Sequence, residues 1–352
     1  MIKQLKFWPL VVIVATLIIA GCSQPQQQNT TKEKRLQGQA IGTTYSIIFL
    51  GGEESFSTEQ LEKEFNDLID AANKSMSTYH KSSEISVFNR MKSTEPVKAS
   101  ETLRKVIAEG IRLHELTSGS LDITLKPLSG LWGFGPNHVP HKIPSDEALA
   151  AVKAKTGVDK LVIEGEQLSK KIVDLEVDLN TIGKGFLVDQ TAQLLESHKI
   201  NHYLVEVGGE MRIKGHNDRG KPWKIGVINP ISGTPKAQRA VYPGNLGVAT
   251  SGDYYQYFEE NGVRYSHILD PTTGRPISHN LASVTVFHPS SMTADGLATA
   301  IMVMGAEKGL VLAEKHNFAI YLIIRDGDKF VSKMSSAFEA HLSEEKIAKT
   351  LL

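Results

Sequence analysis

Cysteine is almost missing: Cys22 is the only one in 352 residues. One thiol forms no internal disulfide and no zinc–thiolate site. Aromatic residues are scarce, at 7%, and net charge is absent, because 39 Lys and Arg balance 39 Asp and Glu. That balance removes the electrostatic case for a nucleic-acid binder. The 12 histidines include no HExxH and no paired ligand spacing, which argues against zinc. A GxSxG elbow is absent. "KTG" at 155–157 has no SxxK before it. The one SxxK, "SEEK" from Ser343 to Lys346, falls after it, so a penicillin-recognising serine enzyme is excluded.

What is present begins with the N-terminus. Two lysines in "MIKQLKFW" precede the apolar run "PLVVIVATLIIA" and the polar stretch "GCSQPQQQNTTKEK". That is the layout of a secretory signal peptide, and the run is too short to favour a membrane span. The small residues before Cys22 resemble a bacterial lipoprotein signal. Residues 1–21 are then the signal, cleavage falls before Cys22, and its thiol carries lipid. Residues 22–34, rich in Gln, Asn, Thr and Lys, read as a flexible tether. The functional domain spans 35–352 and lies outside the cytoplasm.

At 41% hydrophobic and 22% charged, that remainder is globular in composition. "QAIGTTYSIIFL" alternates and predicts a first strand. Leu61, Phe65, Leu68, Ile69 and Ala72 form one helical stripe, with Ser57 and Gln60 at capping-box spacing. Further helices are predicted near 100–117, 145–155 and 184–199, then through "TADGLATAIMVMG" and from Ala306 to His316. Short strands stand between them ("KLVIEG", "HYLVEV", "WKIGVIN", "LGVAT", "RYSHIL", "ASVTVF", "FAIYLIIR"). There is no regular βαβ alternation and no clean cut, so the fold class is α+β in a single compact catalytic domain.

Several polar residues sit where a core does not explain them. "IGKG" is not a Walker loop, because Asp178 stands where the first glycine belongs and Gly185 follows Lys184. It still opens a helix, where free N–H groups and one cation suit a pyrophosphate; a glycine turn with a surface lysine is the competing reading. Gly208-Gly209 reads as a tight turn. Asp122 is a turn cap or a functional carboxylate. His267, just before the turn "DPTTG", is a general acid or base near neutrality or a structural histidine. Asp295 and Thr299 lie four apart on one helical face and offer hard oxygen ligands suited to Mg²⁺; a helix cap is the competing reading of Asp295.

Seven blocks in order carry a resemblance: "MSTYHKSSEISVFN", "GSLDITLKPLSGLWGFG", "DLNTIGKGFLVD", "YLVEVGGE", "ATSGDY", "SHILDPTTGRPI" and "ADGLAT". Together they resemble the bacterial FAD:protein FMN transferases, the ApbE-type lipoproteins. The resemblance implies a T-fold-like α+β core and Mg²⁺ as cofactor. It implies cleavage of FAD at its pyrophosphate, attachment of FMN through a phosphoester to a Thr or Ser of another protein, and release of AMP. It implies acceptors of the sodium-pumping quinone reductase or Rnf type, a lipid anchor on the periplasmic side of the inner membrane, and no nucleic acid. Some members hydrolyse FAD to FMN and AMP, and a non-catalytic flavin-binding lipoprotein is a further reading. By position, Asp295 and Thr299 become metal ligands, and an oxygen of Thr181, its backbone carbonyl or its side chain, completes the set. Ile41, Tyr79, Ser120, Leu121, Asp122, Asp178, Lys184, His267 and Ile268 become the cofactor-binding residues. His267 or Asp122 becomes the acceptor of the hydroxyl proton. Leu121, Ile41 and Thr181 depart from the commonest family residues, and Leu121 in particular alters packing on the flavin or adenine.

Overall fold

The computed structural model describes residues 32–51, 56–135, 141–228, 230 and 237–346. The signal, Cys22 and nearly all of the tether lie outside the described residues. Alternating and continuous apolar runs build one sheet of eight strands: β1 (Lys34–Ala40), β2 (Thr43–Leu50), β3 (His202–Val207), β4 (Glu210–Lys214), β5 (Gly247–Gly252), β6 (Leu281–His288), β7 (Ala319–Asp326) and β8 (Lys329–Met334). They lie side by side in chain order, every neighbour antiparallel. "FAIYLIIR" is apolar at both parities because both faces of β7 are covered. Ile320, Leu322 and Ile324 enter the main core, while Ala319, Tyr321 and Ile323 enter a second one.

The helices are α1 (Thr58–Met76), α2 (Glu84–Arg90), α3 (Glu101–Leu116), α4 (Lys126–Trp132), α5 (Asp146–Lys153), α6 (Gly183–Ser197), α7 (Ser291–Met304) and α8 (Ala306–His316). Serines begin α1, α2, α3, α5 and α7: Ser57, Ser83, Ser100, Ser145 and Ser290 each accept a backbone N–H from three residues on. Helices α1, α3, α6, α7 and α8 contribute to the main core with one face of the sheet. A small third cluster joins Leu128 and Trp132 of α4, Leu149 of α5 and Leu269, with Phe134, Phe258 and Tyr265 packed against it.

The α+β expectation holds, and residues from 31 onward form one unit. Two local expectations change. The predicted first strand is a hairpin, because Ile41 (φ 45°) and Gly42 (φ 77°) turn left-handed between β1 and β2. Strand β1 also takes in Lys34, the last residue of the predicted tether. The helices α2 and α4 had no strong signal, being seven residues each.

Candidate functional site

The site is built where the starts of α6 and α7 cross. Gly185 makes the crossing possible: a Cβ there would lie 2.3 Å from the Ser291 carbonyl oxygen and 2.7 Å from Met292 Cα. One turn on, Asp189 accepts from the backbone N–H groups of Ser291 (2.8 Å) and Met292 (3.1 Å) and from the Ser290 hydroxyl (2.7 Å). A carboxylate of α6 therefore caps α7, a favourable place for negative charge. Gly296 completes the fit, since a Cβ there would meet Leu113 at 2.4 Å and Ile182 at 2.9 Å. The 181–183 segment is thereby set against the first two turns of α7.

Asp295, 3% exposed, finds two protein neighbours in that crossing. Its Oδ2 accepts from the Gly185 N–H at 3.1 Å, and its Oδ1 lies 3.8 Å from Lys184 Nζ. Lys184 is held more closely by Glu210, at 3.0 Å from Oε1. Glu210 arrives by way of the Gly208-Gly209 turn joining β3 and β4, whose φ angles of 61° and 99° only glycine adopts readily. A Cβ on Gly208 would press on Thr43 at 2.8 Å and on the Lys184 side chain at 3.2 Å. The turn reading of this segment is correct, and the turn delivers a buried carboxylate that sequence reasoning passed over.

The electrostatics of the cluster are lopsided. Burial works against charge on Lys184, but Asp295 and Glu210 outweigh it and keep the ammonium firmly protonated. Burial, and then the proximity of Asp295, push the Glu210 carboxyl well up. Burial likewise raises Asp295, with Lys184 and the Gly185 N–H opposing. One lysine thus faces two carboxyls, and Glu210 Oε2 is buried without a hydrogen-bond partner.

Asp178 and Asp122 stand on neighbouring segments, because the Asp178 N–H donates to the Ile123 carbonyl at 2.7 Å. Each carboxylate also turns its own chain. Asp178 accepts from Asn180 N–H at 3.0 Å, and Asp122 accepts from the Thr124 N–H (2.7 Å) and hydroxyl (2.5 Å). The cap reading of Asp122 is therefore realised through Oδ1. Burial raises both carboxyls. Asn89, at the end of the "SVFN" block, grips Val177 beside Asp178, donating to its carbonyl and accepting its N–H, both at 2.8 Å.

His267 is oriented by one carbonyl. Its Nδ1 and its backbone N both lie 3.0 Å from the Gln256 oxygen. A carbonyl only accepts, so Nδ1 carries the proton and Nε2 of the neutral ring keeps its lone pair. Burial holds the imidazole below its usual pKa, which favours that neutral form. Around it the Tyr257–Glu260 and Val263–Ser266 hairpin is fixed by stacked rings: His141 on Phe258, Phe258 on Tyr265 and Tyr265 on Trp132, with centroids 5.0, 5.0 and 5.8 Å apart. Trp132 Nε1 donates to the Gly274 carbonyl at 2.9 Å, tying the "LWGFG" and "DPTTG" blocks together.

With this geometry in hand, comparison with known proteins is decisive. The ApbE family model matches residues 41–322. The chain belongs to the ApbE family. It is 46% identical to the FAD:protein FMN transferase of Vibrio cholerae over 95% of this chain and 99% of that one. It is 37% identical to the Escherichia coli K12 protein of the same name over 97% and 99%. The solved flavin transferase ApbE of V. cholerae superposes with a TM-score of 0.83 at 45% identity, covering 88% of this chain and 99% of that one. The flavinyl transferase ApbE of Pseudomonas stutzeri, apo form, gives 0.82 at 37% identity, over 88% and 97%.

Within this ApbE chain the expected cofactor residues divide into two groups. Lys184 meets Asp295 and Glu210, Asp178 and Asp122 stand on neighbouring segments, and His267 lies within electrostatic reach of Lys184. Leu121 does not offer its side chain: it is 1% exposed in the main core, and lies 3.3 Å from where a Gly296 Cβ would stand. The side chain expected to alter packing on the flavin or adenine thus belongs to the main core. Ile268 is also buried, and its carbonyl is taken by the Ile277 N–H at 3.0 Å. Ser120 is half-buried, its N–H bonded to the Thr117 carbonyl at 3.2 Å. Ile41 (37% exposed) and Tyr79 (68%) are outward-facing apolar surfaces, Ile41 next to the Thr43–Gly208–Lys184 contact.

A magnesium ion fits the donor set. No group of three or more His, Cys, Asp or Glu side chains poised for a metal occurs among the described residues. The candidate set is instead one carboxylate with threonine oxygens, near a cluster where carboxyls outnumber the lysine. Thr181 Oγ1 is buried with no hydrogen-bond partner, and Thr299 Oγ1 has only the Ser251 hydroxyl, at 3.4 Å. A hard cation that keeps waters and ligand phosphates needs no fuller cage. The residues missed from sequence are Glu210, Asp189 and Asn89. All three stood inside the recognised blocks, but nothing local to them indicates which partner they reach.

Proposed function

We propose that this ApbE protein is a Mg²⁺-dependent transferase that moves FMN from FAD onto a Thr or Ser hydroxyl of an extracytoplasmic protein. One observation carries the reading: a lysine held between Asp295 and Glu210, with an unpartnered Glu210 oxygen next to it, within electrostatic reach of a histidine whose free Nε2 is its basic nitrogen. Lys184 binds and orients the pyrophosphate; the N–H groups of Gly183 and Gly185, expected to be free at the start of α6, are already taken by the Leu179 carbonyl and by Asp295. Asp295, Thr299 and Thr181 would hold magnesium, which supplies the remaining positive charge on the phosphates. The acceptor hydroxyl oxygen forms a bond to the FMN phosphorus, its proton passes to His267 Nε2, and the bond to the AMP oxygen breaks. Positioning rather than covalent catalysis does the work.

Three features outside the site complete the proposal. Cys22 carries lipid, the domain stands on the periplasmic side of the inner membrane, and its acceptors are subunits of sodium-pumping quinone reductase or Rnf-type complexes. The support is the signal-like N-terminus and the company such acceptors keep. The test incubates mature protein with FAD, Mg²⁺ and a Thr-bearing acceptor, and reads covalent flavin by in-gel fluorescence and AMP by chromatography. Labelled acceptor with one AMP per flavin is expected. Free FMN and AMP at full rate without acceptor would make it a hydrolase, and intact FAD would make it a binding protein.

A further inference from the structure

Glu210 belongs to none of the roles assigned so far. It is 4% exposed, yet one carboxylate oxygen is without any partner and the other holds Lys184 Nζ at 3.0 Å. Asp295, at 3.8 Å, is beyond hydrogen-bond length from that nitrogen. A lysine side chain has four rotatable bonds, and this one is still 33% exposed. Without a fixed acceptor its ammonium would sweep the mouth of the site. The acceptor here is rigid: Glu210 pairs with Val207 in the two-residue Gly208-Gly209 hairpin, and Gly208 itself abuts the Lys184 stem.

We propose that Glu210 is the positioning residue for Lys184. It takes one of the three N–H donors of the ammonium and so aims the other two at the anion that the site binds. Asp295 is the electrostatic neighbour, and Glu210 is the hinge pin. The inference rests on the reading of this site as one that binds the pyrophosphate of FAD. A Gln at 210 keeps an oxygen acceptor for the ammonium, and an Ala does not.

The experiment measures FAD affinity by flavin fluorescence quenching and steady-state KM and kcat for the full mature protein. It compares wild type with Glu210→Ala, Glu210→Gln, Lys184→Ala and the Glu210→Ala/Lys184→Ala double variant, each checked for cooperative unfolding. Glu210→Ala should raise the KM for FAD about tenfold with a smaller change in kcat, and Glu210→Gln should recover most of that loss. In the Lys184→Ala background the Glu210→Ala change should add nothing, because the residue acts through the lysine. Additive losses, or an unchanged KM in folded Glu210→Ala protein, overturn the proposal while leaving the flavin reading intact. A wild-type protein that neither binds nor consumes FAD overturns both. Should Glu210→Ala fail to fold, Glu210→Met, which keeps the side-chain length and removes the oxygen acceptor, takes its place and is read in the same way with and without Lys184.

Discussion

Replacing Gly185 by Ala sets two sizeable effects against each other. In a helix interior Ala is favoured over Gly by about 1 kcal/mol, so propensity alone predicts a more stable protein. The crossing predicts the reverse. The new Cβ would stand 2.3 Å from the Ser291 carbonyl oxygen, 2.6 Å from its carbon and 2.7 Å from Met292 Cα. These are backbone atoms, held by Asp189, and cannot rotate away. Overpacking of this kind costs roughly 1–3 kcal/mol. Pushing the helices apart also stretches the 3.1 Å bond from Gly185 N–H to Asp295, and a hydrogen bond to a charged group contributes about 1.5–3 kcal/mol. The net is a loss of about 1.5–5 kcal/mol. At about 2 °C per kcal/mol for a domain of this size, the midpoint of thermal unfolding followed by circular dichroism should fall by about 3–10 °C. Gly183→Ala is the control, because nothing lies within 4 Å of its would-be Cβ and stability should hold. A Gly185→Ala protein as stable as wild type, or more so, would refute the packing argument.

Asp295→Ala should abolish magnesium-dependent transfer while the protein still unfolds cooperatively; transfer with normal Mg²⁺ dependence would remove Asp295 from the metal site. Asp189→Ala strips the start of α7 of three bonds and should cost about 2 kcal/mol in urea unfolding, well beyond a surface change. His267 has a lowered pKa, so its base form persists below the ordinary histidine value of 6.5. The acid limb of kcat for transfer should therefore fall below pH 6.5, and His267→Ala should erase it. The same depressed pKa means that folding favours the neutral ring, so stability declines as pH drops through 6.5. Asp122→Asn keeps an acceptor for Thr124 and should spare the transfer rate; a loss as deep as that of His267→Ala would make Asp122 the base.

The sequence by itself determined more of the local structure than of the site. The capping box and stripe of α1 and the strand at "FAIYLIIR" are short-range patterns, and they folded as read because each is set by neighbours within a few residues. The α+β class followed from their order, and the ordered blocks placed Lys184, Asp178, Asp295 and His267 among the candidates. Only tertiary structure decided what these residues meet. Asp295 lies 110 positions from Gly185, yet it takes that residue's N–H because two helices cross without a side chain between them. The Gly-Gly turn was legible, but the burial of Glu210 against Lys184 depends on β3 and β4 standing beside the start of α6. Leu121 was drawn toward the cofactor by its place in a motif, and the core took it because α7 offers Gly296 there. Spacing along a chain reports which groups share one element; partners contributed by different elements are fixed only by packing.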